Sequence, residues 1–150
     1  MKELQADILK NGLKVTPQRL AILKLLRGNL NHPTAEKIYN ELLKEYPAIS
    51  LKTVYDTLER FTEAGMVRKL DIDQRKMRFD ACMNHHDHFH CRVCDNVYDI
   101  ISSEQMDTVK NNKVIEGHHI DTTSVNLKGV CKYCEVERGN KSNEYQIAAM

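Results

Sequence analysis

Residues 84–94 read NHHDHFHCRVC, with four histidines, one aspartate and two cysteines in eleven positions. The cysteines form one CxxC pair, Cys91 and Cys94, and a second pair follows at Cys131 and Cys134. Two thiolates spaced this way can bite one metal ion from a tight turn, and two such turns complete a tetrahedral sulfur shell. That donor set points to one structural zinc; a redox CxxC or unrelated buried cysteines are the other readings. A closed shell of four sulfurs has no open position, so it would hold the fold and would not catalyse. Thirty-six residues lie between the pairs, so the ion would tie together the start and end of a small domain that needs such help. Cys82 stands apart. It reads as a small buried hydrophobe, or as a reactive or ligand thiol beside the histidines.

Histidines beside a satisfied zinc site imply a second metal. On a strand, residues i and i+2 face the same way, so His86 and His88 can chelate together. His90 would share that face, but it abuts Cys91 and could be drawn into the zinc turn, while His85 and Asp87 would face the other side. Two imidazoles are too few, so further donors must come from elsewhere. Asp80, Asp99 and His32 are candidates, although a lone loop histidine such as His32 is as readily just solvated. Three imidazoles and two carboxylates would favour Fe²⁺ or Mn²⁺ by ligand type.

The elements that would position these groups follow from the pattern. Leu4, Ile8 and Leu9 recur at helical spacing over residues 2–11, with Gly12 as a stop. Thr16-Pro17 is a helix start, since Thr caps and Pro suits the first helical position. The apolar stripe Ala21, Ile22, Leu25, Leu26 then runs to Gly28. Thr34 caps a third helix that Pro47 should stop. Ser50 caps a fourth, residues 51–64, with Leu51, Val54, Leu58 and Phe61 on one face and Gly65 closing it. Segments 66–70 and 77–80 read as strands around the polar turn DIDQRK. Helices followed by a two-stranded hairpin give the winged form of a helix-turn-helix. After residue 81, HFHCRVC and VYDII read as strand pieces around a turn. Residues 103–114 read as a short helix capped by Ser102 or Ser103, and HHIDTTSVNLKGVC as a strand. The expected class is α+β: a winged helix-turn-helix over residues 1–80, a small α/β domain with a four-cysteine zinc site over 81–134, and a loosely held tail, 135–150.

Composition fits this division. The 150 residues carry a net charge of +1. Residues 1–80 hold 15 Lys and Arg against 11 Asp and Glu, a net +4, whereas residues 81–150 hold 7 against 10, a net −3. A basic half suits nucleic acid. No apolar run is long enough to span a membrane, and the first residues lack the apolar core of a signal peptide, so a cytoplasmic protein is expected.

The segments VTPQR (15–19), HPTAEKIY (32–39), SLKTVYDTLERFTEAGMV (50–67) and HHDHFHC (85–91), with the two CxxC pairs, together resemble the ferric uptake regulator family, and look most like its peroxide-sensing repressors. The resemblance covers roughly residues 8–134. It implies a homodimeric repressor of double-stranded operator DNA, with zinc at Cys91, Cys94, Cys131 and Cys134. It also implies a regulatory Fe²⁺ or Mn²⁺ held by His32, Asp80, His86, His88 and Asp99. Iron-uptake regulators tend to carry glutamates where this chain has Asp80 and Asp99, and two aspartates look like the peroxide sensors. In that reading Fe²⁺ lets peroxide oxidise His32 or His86, while Mn²⁺ resists this chemistry.

The family likeness makes residues 51–64 the recognition helix, with Lys52, Thr53, Tyr55 and Asp56 facing outward. Tyr55 resembles the tyrosine that contacts DNA and could touch a thymine methyl; half-buried packing is its other reading. Arg19 would lie on phosphate or in a minor groove. Two departures stand out. Asp56 replaces the usual arginine or asparagine, and Thr123 stands where an auxiliary site built on His85 and Asp87 would need a histidine, with His118 and His119 out of register. Three rivals remain: an iron-uptake or other metal regulator indifferent to peroxide, a metal-dependent enzyme, and a metal-storage or scaffold protein. The enzyme is not expected, because no H-E-x-x-H motif and no nucleophile with a neighbouring base is present.

Overall fold

The computed structural model describes residues 1–29, 31–72, 76–84, 86–100, 111, 113–121, 123 and 125–136. They fall into two compact units, one ending at residue 85 and one beginning at residue 86.

The first unit is built from four helices, α1 (Lys2–Lys10), α2 (Pro17–Arg27), α3 (Ala35–Leu42) and α4 (Leu51–Glu63). A two-stranded antiparallel hairpin follows, β1 (Arg68–Leu70) and β2 (Arg78–Asp80). Each of α2, α3 and α4 starts where a hydroxyl can satisfy an orphan amide. Thr16, Thr34 and Ser50 accept from the N–H groups of Arg19, Lys37 and Thr53. Gly65 ends α4 with φ +69°, a conformation that costs glycine nothing. The apolar stripes converge on a core that includes Ile8, Ile22, Leu23, Ile38, Val54, Leu58 and Phe61, all fully buried. This is a winged helix, with α4 second in the helix-turn-helix pair and β1–β2 as the wing. Replacing Ser50 by alanine removes the α4 cap, whose Oγ lies 3.0 Å from the Thr53 amide. The expected loss is about 1 kcal/mol of stability, read as a lower urea midpoint at unchanged slope.

The second unit centres on β3 (Asp87–Cys91), which pairs antiparallel with β4 (Val97–Ile100) and parallel with β7 (Asn126–Gly129). A separate short hairpin joins β5 (Val114–Ile115) and β6 (His118–His119). The stretch expected to be one strand from His118 to Cys131 is therefore two short ones. Most of the expected helix 103–114, part of the DIDQRK turn and all but the first two residues of the tail lie outside the described residues. Among the described residues, the buried cluster of this unit consists of Cys91, Cys131 and Cys134, with Phe89, Tyr98 and Val130 packed against it. Three thiols buried this close together suit a metal ion among them. No described helix is long and apolar enough to cross a membrane.

Candidate metal centres and nucleic-acid interface

The first centre lies wholly in the second unit. β3 delivers Cys91 at its last residue, and a tight turn closed by the Asp95 amide on the Cys91 carbonyl (3.0 Å) returns Cys94 beside it. β7 runs parallel to β3 with Gly129 opposite Cys91, so the chain reaches Cys131 at the same end of the sheet. The four sulfurs all lie within 4.8 Å of one another. The Cys94 and Cys131 Sγ atoms are 3.8 Å apart. Zinc with bonds of about 2.3 Å in a tetrahedron needs sulfurs about 3.8 Å apart.

The surroundings favour the thiolate at Cys91 and Cys131 but not at Cys134. Burial pushes the Cys91 thiol up, but amide donors from Cys94, Cys131 and Val93 outweigh it and bring it down to about 6. The Cys134 amide lowers Cys131 against the effect of burial, and the Tyr98 hydroxyl, 3.6 Å from its sulfur, adds to the lowering. Burial, together with the neighbouring sulfurs, pushes Cys134 up to about 12. A dication bound among the four sulfurs would hold all of them as thiolates, and the four-cysteine cluster fits a structural zinc with no open position. Cys82 is exposed and belongs to neither cluster of donors among the described residues.

Each unit also carries nitrogen and oxygen donors. In the first, the loop before α3 lies along β2: the Phe79 amide donates to the Pro33 carbonyl, Thr34 bridges to Arg78, and Arg78 donates to the His32 carbonyl at 3.3 Å. His32 holds a left-handed φ of +45°. This brings a His32 nitrogen and an Asp80 oxygen within 4.8 Å, both side chains buried. Asp80 is itself aimed by Arg68, whose Nε donates to Oδ2 at 2.9 Å, and by the Cys82 amide, which donates to Oδ1 at 2.7 Å.

In the second unit, His86 and His88 share a face, with ring centroids 4.6 Å apart. Asp99 on β4 is the register partner of His88. Its Oδ1 lies 3.1 Å from His86 Nε2 and 3.9 Å from His88 Nε2. His90 does not join them: its Nε2 lies 2.9 Å from an oxygen of Asp95, so it braces the zinc turn. His85 lies outside the described residues. Among the described residues, no group of three or more donors includes Asp87, His118 or His119.

On α4, Lys52, Thr53, Tyr55 and Asp56 are exposed. The Tyr55 side chain is 42% exposed. Its hydroxyl donates to Glu36 of α3 at 2.5 Å. Lys52 pairs with Asp56 at 2.7 Å, which masks the carboxylate that departs from the family pattern. Arg19 donates to the Lys14 carbonyl at 2.7 Å, which ties its guanidinium to the segment before α2.

Sequence reasoning names the candidate donors and the exposed face of α4. It misses their supports, namely Tyr98, Arg68, Arg78, Glu36 and the His90–Asp95 pair. Only the fold brings these to their partners, and no spacing announces them.

The profile of the ferric uptake regulator family matches residues 10–129. A peroxide-responsive repressor, PerR, of Staphylococcus epidermidis is 34% identical over 141 residues, covering 93% of each chain. The crystal structure of the Vibrio cholerae ferric uptake regulator superposes with a TM-score of 0.72 at 30% identity, over 85% of this chain and 98% of that one. The ferric uptake regulator of Francisella tularensis, solved with iron, gives 0.70 at 28% identity, over 83% and 96%.

Proposed function

Given that this chain belongs to the ferric uptake regulator family of metal-responsive repressors, we propose that it is a peroxide-responsive one. In this reading it acts in the cytoplasm as a homodimer on operator DNA and is not an enzyme. Residues 1–80 bind DNA and residues 81–134 dimerise and bind metal. The observation that carries the reading is the donor set: His32 with Asp80 in one unit, and His86, His88 and Asp99 in the other. All five are nitrogen or carboxylate oxygen, a set suited to Fe²⁺ or Mn²⁺ and unlike the sulfur shell.

The five side chains would act as one clamp. Donors from both units closing on a common ion select one conformation from an ensemble. In the dimer, that conformation sets both recognition helices to enter major grooves about one helical turn, or a multiple, apart. Lys52, Thr53, Tyr55 and Asp56 then meet base edges, and Arg19 meets the backbone. Held by these donors, Fe²⁺ would supply a redox-active centre at which the O–O bond of hydrogen peroxide breaks, with the neighbouring imidazole as the net two-electron reductant. His32 or His86 takes up one oxygen atom on its imidazole carbon, and one water leaves. The oxidised ring is a poor ligand, so the clamp opens and repression ends. Asp80 and Asp99, rather than glutamates, and the likeness to a repressor named for peroxide support this over plain iron sensing.

The test is binding to an operator selected from a random duplex pool, with Fe²⁺ or Mn²⁺, each with and without dilute peroxide. The iron form should lose the operator on peroxide treatment, with one added oxygen on the peptide bearing His32 or His86. The manganese form should keep it. Equal behaviour of the two forms would leave an iron-uptake or other metal-responsive regulator as the reading.

A further inference from the structure

Tyr55 is tied to a residue outside the recognition helix. Its hydroxyl donates to Oε1 of Glu36. Glu36 is the second residue of α3, close to the Thr34 cap, where the open amides of a helix start favour a carboxylate. Its exposed carboxylate lies between that helix start and Tyr55. The bond to Tyr55, its own backbone amide and the Thr34 hydroxyl all hold Glu36 below the usual carboxylate range, and the same bond to Glu36 raises Tyr55.

The geometry points to Glu36 as the positioning residue that aims the Tyr55 ring, and so as a determinant of which thymine the protein reads. This rests on α4 meeting operator DNA as proposed above. A thymine methyl is recognised by the apolar ring and needs no hydrogen bond, so the hydroxyl is free to serve as a tether. A tyrosine on an exposed helix face otherwise samples several rotamers, and only some would meet the methyl. Fixing the ring on α3 before DNA arrives removes that ordering cost from binding. Glu36 itself reads no base while its oxygen holds the hydroxyl.

The test uses the full chain loaded with Zn²⁺ and Mn²⁺, on the selected operator, with each thymine replaced in turn by uracil. That replacement removes the methyl and nothing else. In the wild type, one thymine per half-site should matter by about fourfold, and the symmetric double replacement by about fifteenfold. In Glu36→Ala the penalty at that thymine, measured against the same variant on the unmodified operator, should fall below about twofold. Glu36→Gln should keep most of the penalty, because its amide oxygen can still accept the tyrosine hydroxyl. Tyr55→Phe lies on an exposed face, so it leaves the fold intact, and it should behave as Glu36→Ala does. Full methyl discrimination in Glu36→Ala would overturn the positioning role while leaving the Tyr55 contact standing. A wild type indifferent to every thymine-to-uracil replacement would overturn both.

Discussion

Cys131→Ser is expected to lose its zinc and to melt the second unit while α1 to α4 stay folded. Cys131 is 5% exposed and tied on several sides. Its sulfur lies 3.8 Å from that of Cys94 and accepts from Tyr98, and its amide donates to the Cys91 sulfur at 3.2 Å. It is also where β7, paired in parallel with β3, delivers the end of the sheet to the turn between β3 and β4. A parallel pair has no hairpin of its own to hold it, so the ion is what closes the connection. Structural zinc contributes on the order of 10–16 kcal/mol in small zinc domains at neutral pH. Metal analysis should fall from about one zinc per chain to nearly none. Strand signal in circular dichroism should drop, and the helical signal should persist, because the first unit has its own core of Ile22, Leu23, Ile38, Val54, Leu58 and Phe61. Cys82→Ser should keep the zinc, since Cys82 is exposed and outside the sulfur cluster. Full zinc content in Cys131→Ser would mean that the four sulfurs do not act as one site.

The reason for this dependence is partly legible in the residues. The CxxC spacings identify the sulfur shell, and the hydroxyls at Thr16, Thr34 and Ser50 identify the three capped helix starts, because both signals are local. The register of β7 is not legible. Parallel pairing joins residues distant in sequence, and the expected strand from His118 breaks between β6 and β7 with no local mark of where it turns. The end of α3 also differs. Pro47 predicts a stop there, but the helix ends at Leu42 and residues 43–45 are a turn. The residue before a proline is disfavoured in helical conformation, and the chain leaves the helix before reaching that constraint. For the nitrogen and oxygen donors, the period-two spacing places His86 and His88 on one face. It cannot supply Arg68 behind Asp80 or Arg78 behind the His32 carbonyl, since these contacts join strand to loop across the fold.

That difference between local and assembled signals bears on the second large effect. His86→Ala should weaken metal-dependent operator binding severely and leave zinc unchanged. The His86 ring stands edge-on to His88 with its Nε2 3.1 Å from Asp99. Removing it takes one of three donors that the second unit offers to the proposed clamp. Losing a group that merely supports a metal ligand typically costs about 10- to 100-fold in affinity. A ligand itself should therefore cost at least about 100-fold, seen as a rise in the Mn²⁺ concentration needed for half-maximal operator binding. His118→Ala, on the exposed β6, should change nothing in that titration. Zinc should stay near one per chain in both variants, because the sulfur shell shares no ligand with the nitrogen and oxygen donors. Zinc loss in His86→Ala would mean that the two sites are coupled through β3 and are not independent. Unchanged manganese dependence would remove His86 from the regulatory site and, with it, the clamp from which the peroxide response is argued.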